Sequence, residues 1–473
     1  MEVTQELRLP DGMPDIGRVL TTWGQVMIRS KEWQGGTIAV SGGVMVWSLY
    51  APEDGTEPRS VECWIPFQVK WEMDRSDREG PIRVMPLLRF SDARSLSSRK
   101  MMVRAGVSAG IQALYPMDVE YFAAETVPED VQLLKNTYPI RVPVESGERT
   151  FLMDEELHLT ESSARAEKML GIMAVPEVSE KKVLSDRIVF KGVLNLHLAY
   201  RDSEGRVHSL NQGLPFSQLT ELDRSHSSDA RADLAMAVTS LEADIGEPGK
   251  LRLKCGLVGQ YLVDDRHTLE LVQDAYSPFR SVIPEMMMLD LPVILEDRAD
   301  NLTAEQTLQG QMGQSVDSVF LPDFPKFRQT GGGIHMELPG MFQTLVYDEN
   351  DALQGMTGRW EGNLDLPADE KSRLFAIPRS SDAQSMTSGD GLVMTAPMSV
   401  AIRTESREGI PMVAGLELGE MQEPDPGRPS IILRRGNGGQ LWELAKKHGS
   451  TVAAIEQANS GAVGDGMLLI PVL

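Results

Sequence analysis

Hydrophobic and polar positions alternate along much of the chain. Ile38, Val40, Gly42, Val44 and Val46 take one side of a period-two pattern, and Ala39, Ser41, Gly43 and Met45 take the other. That alternation is what a half-buried strand requires. Val189, Val193, Leu194, Leu196 and Leu198 mark a second such run. Polar turns follow each, Pro52–Gly55 and Asp202–Gly205, and their Asp-Gly and Glu-Gly pairs fit hairpins. Helical signals in the body are short. Glu129–Lys135, Ser163–Leu170 and Asn301–Leu308 are predicted as helical pieces, the last with Thr303 as N-cap and Gln306 three residues on.

The strand runs repeat. Thr37–Tyr50 matches Arg187–Tyr200, with Gly42 against Gly192 and Tyr50 against Tyr200, both 150 residues apart. Each Tyr is followed by its turn and then by Ile65-Pro66-Phe67 or Leu214-Pro215-Phe216. A later strand also matches, Lys100–Gly106 against Lys250–Gly256. A fainter third copy runs from Gly333 to Tyr347, with Leu392–Ile402 as its late strand and Leu366-Pro367 standing where the Pro-Phe pair would be. A repeat of this length is a domain repeated, not a solenoid unit. A glycine inside each strand predicts a bulge or a close backbone approach at Gly42 and Gly192.

The tail follows another pattern. After the Pro-rich linker Glu423–Pro429, Ile431–Leu433 predict a strand and Gly436–Gln440 a loop. Leu441–His448 predict a short helix with Leu441, Leu444 and Ala445 inward. Gly449 can end it in a left-handed conformation, and Ser450-Thr451 can cap a second helix that buries Val452 and Ile455. Met467–Ile470 predict the returning strand.

This strand–helix–helix–strand tail resembles a LysM domain. The resemblance implies binding of N-acetylglucosamine polymers between the loop after the first strand and the loop after the second helix. Carried onto this chain, those positions are Gly436, Asn437, Gly438, Gly439, Gln440, Leu441, Trp442, Asn459, Ser460, Gly461, Gly464 and Asp465. Each of the two most distinctive has a plainer role: Asn459 as the brace of its own turn, Trp442 as a packing residue. The chain departs from the family at the first loop. Gly-Asp-Thr is usual there, whereas Gly436–Gln440 is longer and lacks the acid and the hydroxyl. That weakens the glycan reading and leaves protein binding open.

The repeated body resembles the SPOCS domain of spore-coat morphogenetic proteins, and Leu9–Leu20, with its Pro14-Asp15-Ile16, is similar to the approach to that domain. Such domains with one C-terminal LysM resemble the SipL-like coat-assembly family. The resemblance implies a mother-cell protein that tethers the coat to the forespore surface, its tail engaging the morphogenetic ATPase of the coat's basement layer. The alternative is a peptidoglycan-binding protein of the wall or cortex.

Composition narrows the classes. Net charge is −23, which disfavours phosphate backbones and anionic membrane surfaces. Two cysteines, Cys63 and Cys255, make no disulfide framework. The start lacks a signal-peptide pattern and no run is long enough to span a membrane, so a cytoplasmic location is expected. Gly106–Gly110 matches the G-x-S-x-G nucleophile motif, but it lies in a predicted strand, and Val258 is the counterpart of Ser108. The seven histidines show no metal-ligand spacing. Gly331–Gly333 lacks the rest of a phosphate loop, and Asp348–Asp351 the rest of a calcium loop. The expectation is therefore a mainly β chain without enzyme activity, metal or cofactor. Its tandem antiparallel, sandwich-like SPOCS domains at 1–125, 126–280 and 281–422 precede a linker at 423–429 and an α+β LysM domain at 430–473.

Overall fold

A computed structural model describes the chain apart from residues 74–78, 117, 119–121, 123–126, 160–165, 310–312, 332, 368–370, 381, 389–390, 407, 424–426, 436–440 and 461–465. Strands β1 (Glu2–Arg8), β2 (Ile16–Gln34), β3 (Thr37–Pro52) and β4 (Arg59–Glu72) lead into β5 (Ile82–Ser97) and β6 (Lys100–Ala113). Next come β7 (Gln132–His158), β8 (Lys168–Leu184), β9 (Arg187–Arg201), β10 (Val207–Glu221), β11 (Arg231–Glu247) and β12 (Lys250–Tyr276). Then follow β13 (Val282–Leu289), β14 (Ile294–Gln309), β15 (Ser315–Pro322), β16 (Lys326–Thr330), β17 (Gly333–Tyr347) and β18 (Leu353–Leu366). The body closes with β19 (Ser372–Arg379), β20 (Gln384–Ser388), β21 (Gly391–Ser406) and β22 (Ile410–Leu418). The tail holds β23 (Ile431–Arg435), α1 (Leu441–His448), α2 (Val452–Ala458) and β24 (Met467–Pro471). The fold is thus nearly all β, in small antiparallel sheets, as its alternating pattern predicts.

Two compact units divide the chain. One gathers Met1–Pro116, Pro143–Asp265 and Ile294–Glu405; the other gathers Met117–Val142, Arg266–Val293 and Ser406–Leu473. In the first, β2-β3-β4 and β8-β9-β10 form sheets of the same order. Their irregularities also correspond: a bulge at Ile28/Ser30 in one sheet and at Val178/Glu180 in the other. The pair β5-β6 is bulged at Leu88/Phe90, and β11-β12 at Val238/Ser240.

The glycine expectation acquires a physical cause here. A Cβ on Gly42 would lie 2.2 Å from Met27 O and 3.0 Å from the Phe67 ring. On Gly192 it would lie 2.1 Å from Glu177 O and 2.4 Å from the Phe216 ring. Gly42 is paired with Phe67 and Gly192 with Phe216. The Pro-Phe phenyl therefore occupies the space that the glycine leaves empty on the neighbouring strand. Tyr50 and Tyr200, also shared by both runs, are buried. Tyr50 Oη donates to Pro14 O at 3.0 Å, and Tyr200 stacks on His208 with centroids 5.4 Å apart.

The three predicted helical pieces are corrected. Asn301–Leu308 lies inside β14, with Thr303 opposite Pro397 and Leu308 opposite Leu392. Its residues alternate, Ala304 buried and Asn301, Thr303, Glu305 and Thr307 exposed. Pairing along β21 outweighs a cap signal worth about 1 kcal/mol. Gln132–Lys135 opens β7, and Lys168–Leu170 opens β8, while Ser163–Arg165 of that piece fall outside the described residues. Gly106–Gly110 is continuous β6 strand with Ser108 opposite Leu87. Cys63 and Cys255 are buried free thiols, and burial pushes Cys255 up to about 12.

Distant strands of this unit are tied by buried polar groups. The Gln260 side chain accepts from Val84 N at 2.7 Å and donates to Val84 O at 2.8 Å. Gln25 Oε1 accepts from Ala174 N, and Gln343 Nε2 donates to Ser91 O. At one junction the Asp317 carboxylate, from β15, accepts from Trp23 Nε1 of β2 at 2.8 Å and lies 2.8 Å from His197 Nε2 of β9. Burial alone would lower the His197 pKa, but the Asp317 carboxylate and the Asn211 contact reverse that and hold it above its ordinary value. Asp317 is likewise held below its usual range, the His197 and Trp23 contacts outweighing burial. The raised histidine contributes stability that is complete below its unfolded value near pH ~6.5 and lost as pH rises through its folded value. Asp317 contributes above pH ~3.9 and loses that contribution as pH falls. Urea midpoints of the wild type should therefore decline from pH ~6.5 into the mildly basic range, and His197→Gln should remove much of that decline. An unchanged slope in the variant would reject the pair as its source.

Candidate functional site

The tail builds its site from a two-stranded frame. β23 and β24 are antiparallel, with Ile432 opposite Ile470 and Leu433 opposite Leu469. Alternation sends Leu468 and Ile470 to the buried side, and Ile470 packs with Ala445 of α1 and Ile455 of α2. Gly449 ends α1 at φ +63°, where a β-carbon would be strained and would meet Arg428. Thr451 caps α2, its Oγ1 accepting from Ala454 N at 3.1 Å. These local devices are where the sequence places them.

Of the candidate residues, Leu441, Trp442, Asn459 and Ser460 are described, whereas Gly436, Asn437, Gly438, Gly439, Gln440, Gly461, Gly464 and Asp465 lie outside the described residues. Asn459 is a brace. Its Nδ2 donates to Ile455 O and Leu469 O, each at 2.7 Å, and its Oδ1 accepts from Leu469 N at 2.9 Å. The carboxamide thus joins the end of α2 to β24. Ser460 follows it at φ +52°, turning the chain. Leu441 packs against the small core.

Trp442 is engaged by partners that the tail itself does not supply. Its Nε1 donates to Asp274 Oδ2 at 2.8 Å, and its ring meets Tyr276 edge-on with centroids 4.8 Å apart. Lys446 Nζ, one turn on, donates to both Asp274 oxygens at 2.7–2.8 Å. Tyr276 Oη donates to Ser450 O at 3.0 Å. Asp274 and Tyr276 stand at the end of β12, within the same unit. Burial would raise the Asp274 pKa, but Lys446 and the Trp442 indole hold it below the usual carboxylate range. Burial pushes Tyr276 up to about 12. Sequence reasoning missed both residues. They lie some 170 positions from Trp442 and carry no motif.

The arrangement can hold a small domain against a strand and present the rest of it. Asp274→Ala should loosen that seat. A hydrogen bond to a charged group is worth about 1.5–3 kcal/mol, so hydrogen exchange in α1 should speed by about tenfold or more. Unchanged exchange would mean the module is held elsewhere. Among the described residues no cluster of three or more His, Cys, Asp or Glu could hold a metal. No helix among them is long and apolar enough to cross a membrane.

Comparison with known proteins gives a family match within the body. Residues 165–246 match the family model described as SipL, SPOCS domain. The match supports a SipL-like, sporulation-related protein. The matched stretch covers β8 to β11 almost to the residue, including Gly192, Tyr200 and Phe216. No curated protein and no solved structure matches the chain.

Proposed function

We propose that the chain is a non-enzymatic scaffold of spore-coat assembly, and that its C-terminal module is a LysM-type adaptor that grips a protein. The observation that carries this reading is the SPOCS match at residues 165–246 in a chain that ends in a βααβ module. On this reading β2–β6 form a second SPOCS-like domain and β14–β21 a divergent third. The adaptor's partner is the morphogenetic ATPase of the coat's basement layer, and the site of action is the mother-cell side of the forespore surface. Two features of the tail favour protein over glycan. Asn459 and Trp442, the most recognisable ligand candidates, have their polar groups committed to backbone and to Asp274. The tail from Arg428 onward also carries five Arg and Lys against three Asp and Glu, whereas the whole chain is at −23. A basic module suits an acidic protein surface.

Affinity capture from sporulating cells tests this, using the full chain and a truncation after Glu423. The expected result is one dominant coat-layer partner with the full chain and at least tenfold less of it with the truncation. Equal capture by both would remove the adaptor role. Retention of the full chain on purified peptidoglycan, lost in the truncation, would establish the glycan reading instead.

A further inference from the structure

The second unit exposes two apolar surfaces of opposite charge. The first is the outer face of the tail sheet. Its inner face is spent on the helices, but Ile431, Leu433, Met467 and Leu469 point the other way and are 57%, 61%, 64% and 37% exposed. Arg435 belongs to the same face, opposite Met467, and Arg434 precedes it. Both arginines are exposed, and neither makes an ion pair or side-chain hydrogen bond among the described residues. Asn459 occupies backbone groups of β24, so β23 is the open edge.

The second surface is the two-stranded ribbon of β13 and β22. Only Leu289, Met412 and Val413 of it are buried. Ile283, Met286, Met287 and Met288 are 41–59% exposed, on both faces of β13. Its charges are acidic: Glu285 and Glu417 are exposed in the ribbon and Glu420 follows it. Among the described residues β13 is hydrogen-bonded on one side only, so it too is an open edge. An exposed apolar strand edge is a template for pairing with another chain.

We infer that these two surfaces are the halves of one interface between copies of this chain, the acidic β13 ribbon of one copy docking on the basic outer face of the β23-β24 sheet of the next. The charge signs select a second copy: each surface repels its own kind and attracts the other. Such a contact is heterologous, so it leaves one free ribbon and one free tail at the ends and extends into a chain of copies.

Sedimentation of the purified full chain tests the inference. The wild type should give species heavier than one chain as its concentration rises. Leu433→Asp/Arg435→Glu blocks the tail face, and Met286→Asp/Met288→Asp blocks the ribbon. Each variant alone should stay monomeric at concentrations at least tenfold above those at which the wild type associates. Mixed, the two should form a one-to-one dimer and nothing larger, because one intact ribbon meets one intact tail. Circular dichroism checks the fold, and if an aspartate variant misfolds, Leu433→Gln or Met286→Gln replaces it. A monomeric wild type overturns the inference. So does either variant that still associates by itself, as a symmetric contact would, or a mixture that stays monomeric.

Discussion

Arg403→Met should cost the protein about 3–5 kcal/mol, because it takes the bound cation away from a buried carboxylate. Arg403 of β21 donates to Asp264 of β12 at 2.6 and 3.3 Å, and to Asp297 of β14 at 2.8 and 3.1 Å. The Asp264 side chain is fully buried, and that of Arg403 is 8% exposed. Burial already holds the Asp264 pKa up at about 6 against the pull of Arg403. Without the arginine the carboxylate loses that pull, and its pKa rises further. The penalty should therefore be largest at neutral pH and shrink on acidification, as a proton neutralises the group. Urea unfolding at two pH values checks both parts. Arg403→Met/Asp264→Asn should recover part of the loss, since the buried negative charge is removed together with its cation. A loss below about 1 kcal/mol in the single variant would mean that the site admits water and the pair is not a clamp.

Gly42→Val and Gly192→Val should each destabilise by about 3 kcal/mol or more, at the upper end for overpacking. At both sites the added carbon meets a backbone oxygen across the sheet, which cannot swing aside as a side chain can. It also meets the phenyl of Phe67 or Phe216. Pairing Gly192→Val with Phe216→Ala should relieve only the ring clash, leaving the contact with Glu177 O. Thermal unfolding of the single and double variants separates the two. If the double variant regains wild-type stability, the backbone approach is not the constraint.

Much of the body is legible from the chain alone. Alternation over Thr37–Tyr50 and Arg187–Tyr200 marks β3 and β9, and the Gly and Phe positions shared between the runs turn out to be two sides of one packing contact. The tail is legible for a different reason. Its caps and stops, Gly449 and Thr451, act over three or four residues, so the cause and its effect sit side by side in the sequence.

What was not legible depends on residues far apart. Asn301–Leu308 has enough local helical signal to mislead, and only its ladder with β21 makes it a strand. Trp442 reads first as a packing residue and second as a ligand platform, and its actual partners appear only when Asp274 and Tyr276 are set beside it. Asp317, Asp264 and Arg403 look like ordinary charges on strands, where every second position faces water. By itself the sequence determined the strands over Thr37–Tyr50 and Arg187–Tyr200, their turns, the close glycine contacts and the four-element tail, because each follows from neighbouring residues and backbone sterics. The tertiary structure alone decided which polar side chains are buried clamps, which tail residues are already spent and which strand edges stay open. Those outcomes depend on which distant strand lies alongside, and that is settled by the packing of the whole sheet rather than by any local preference.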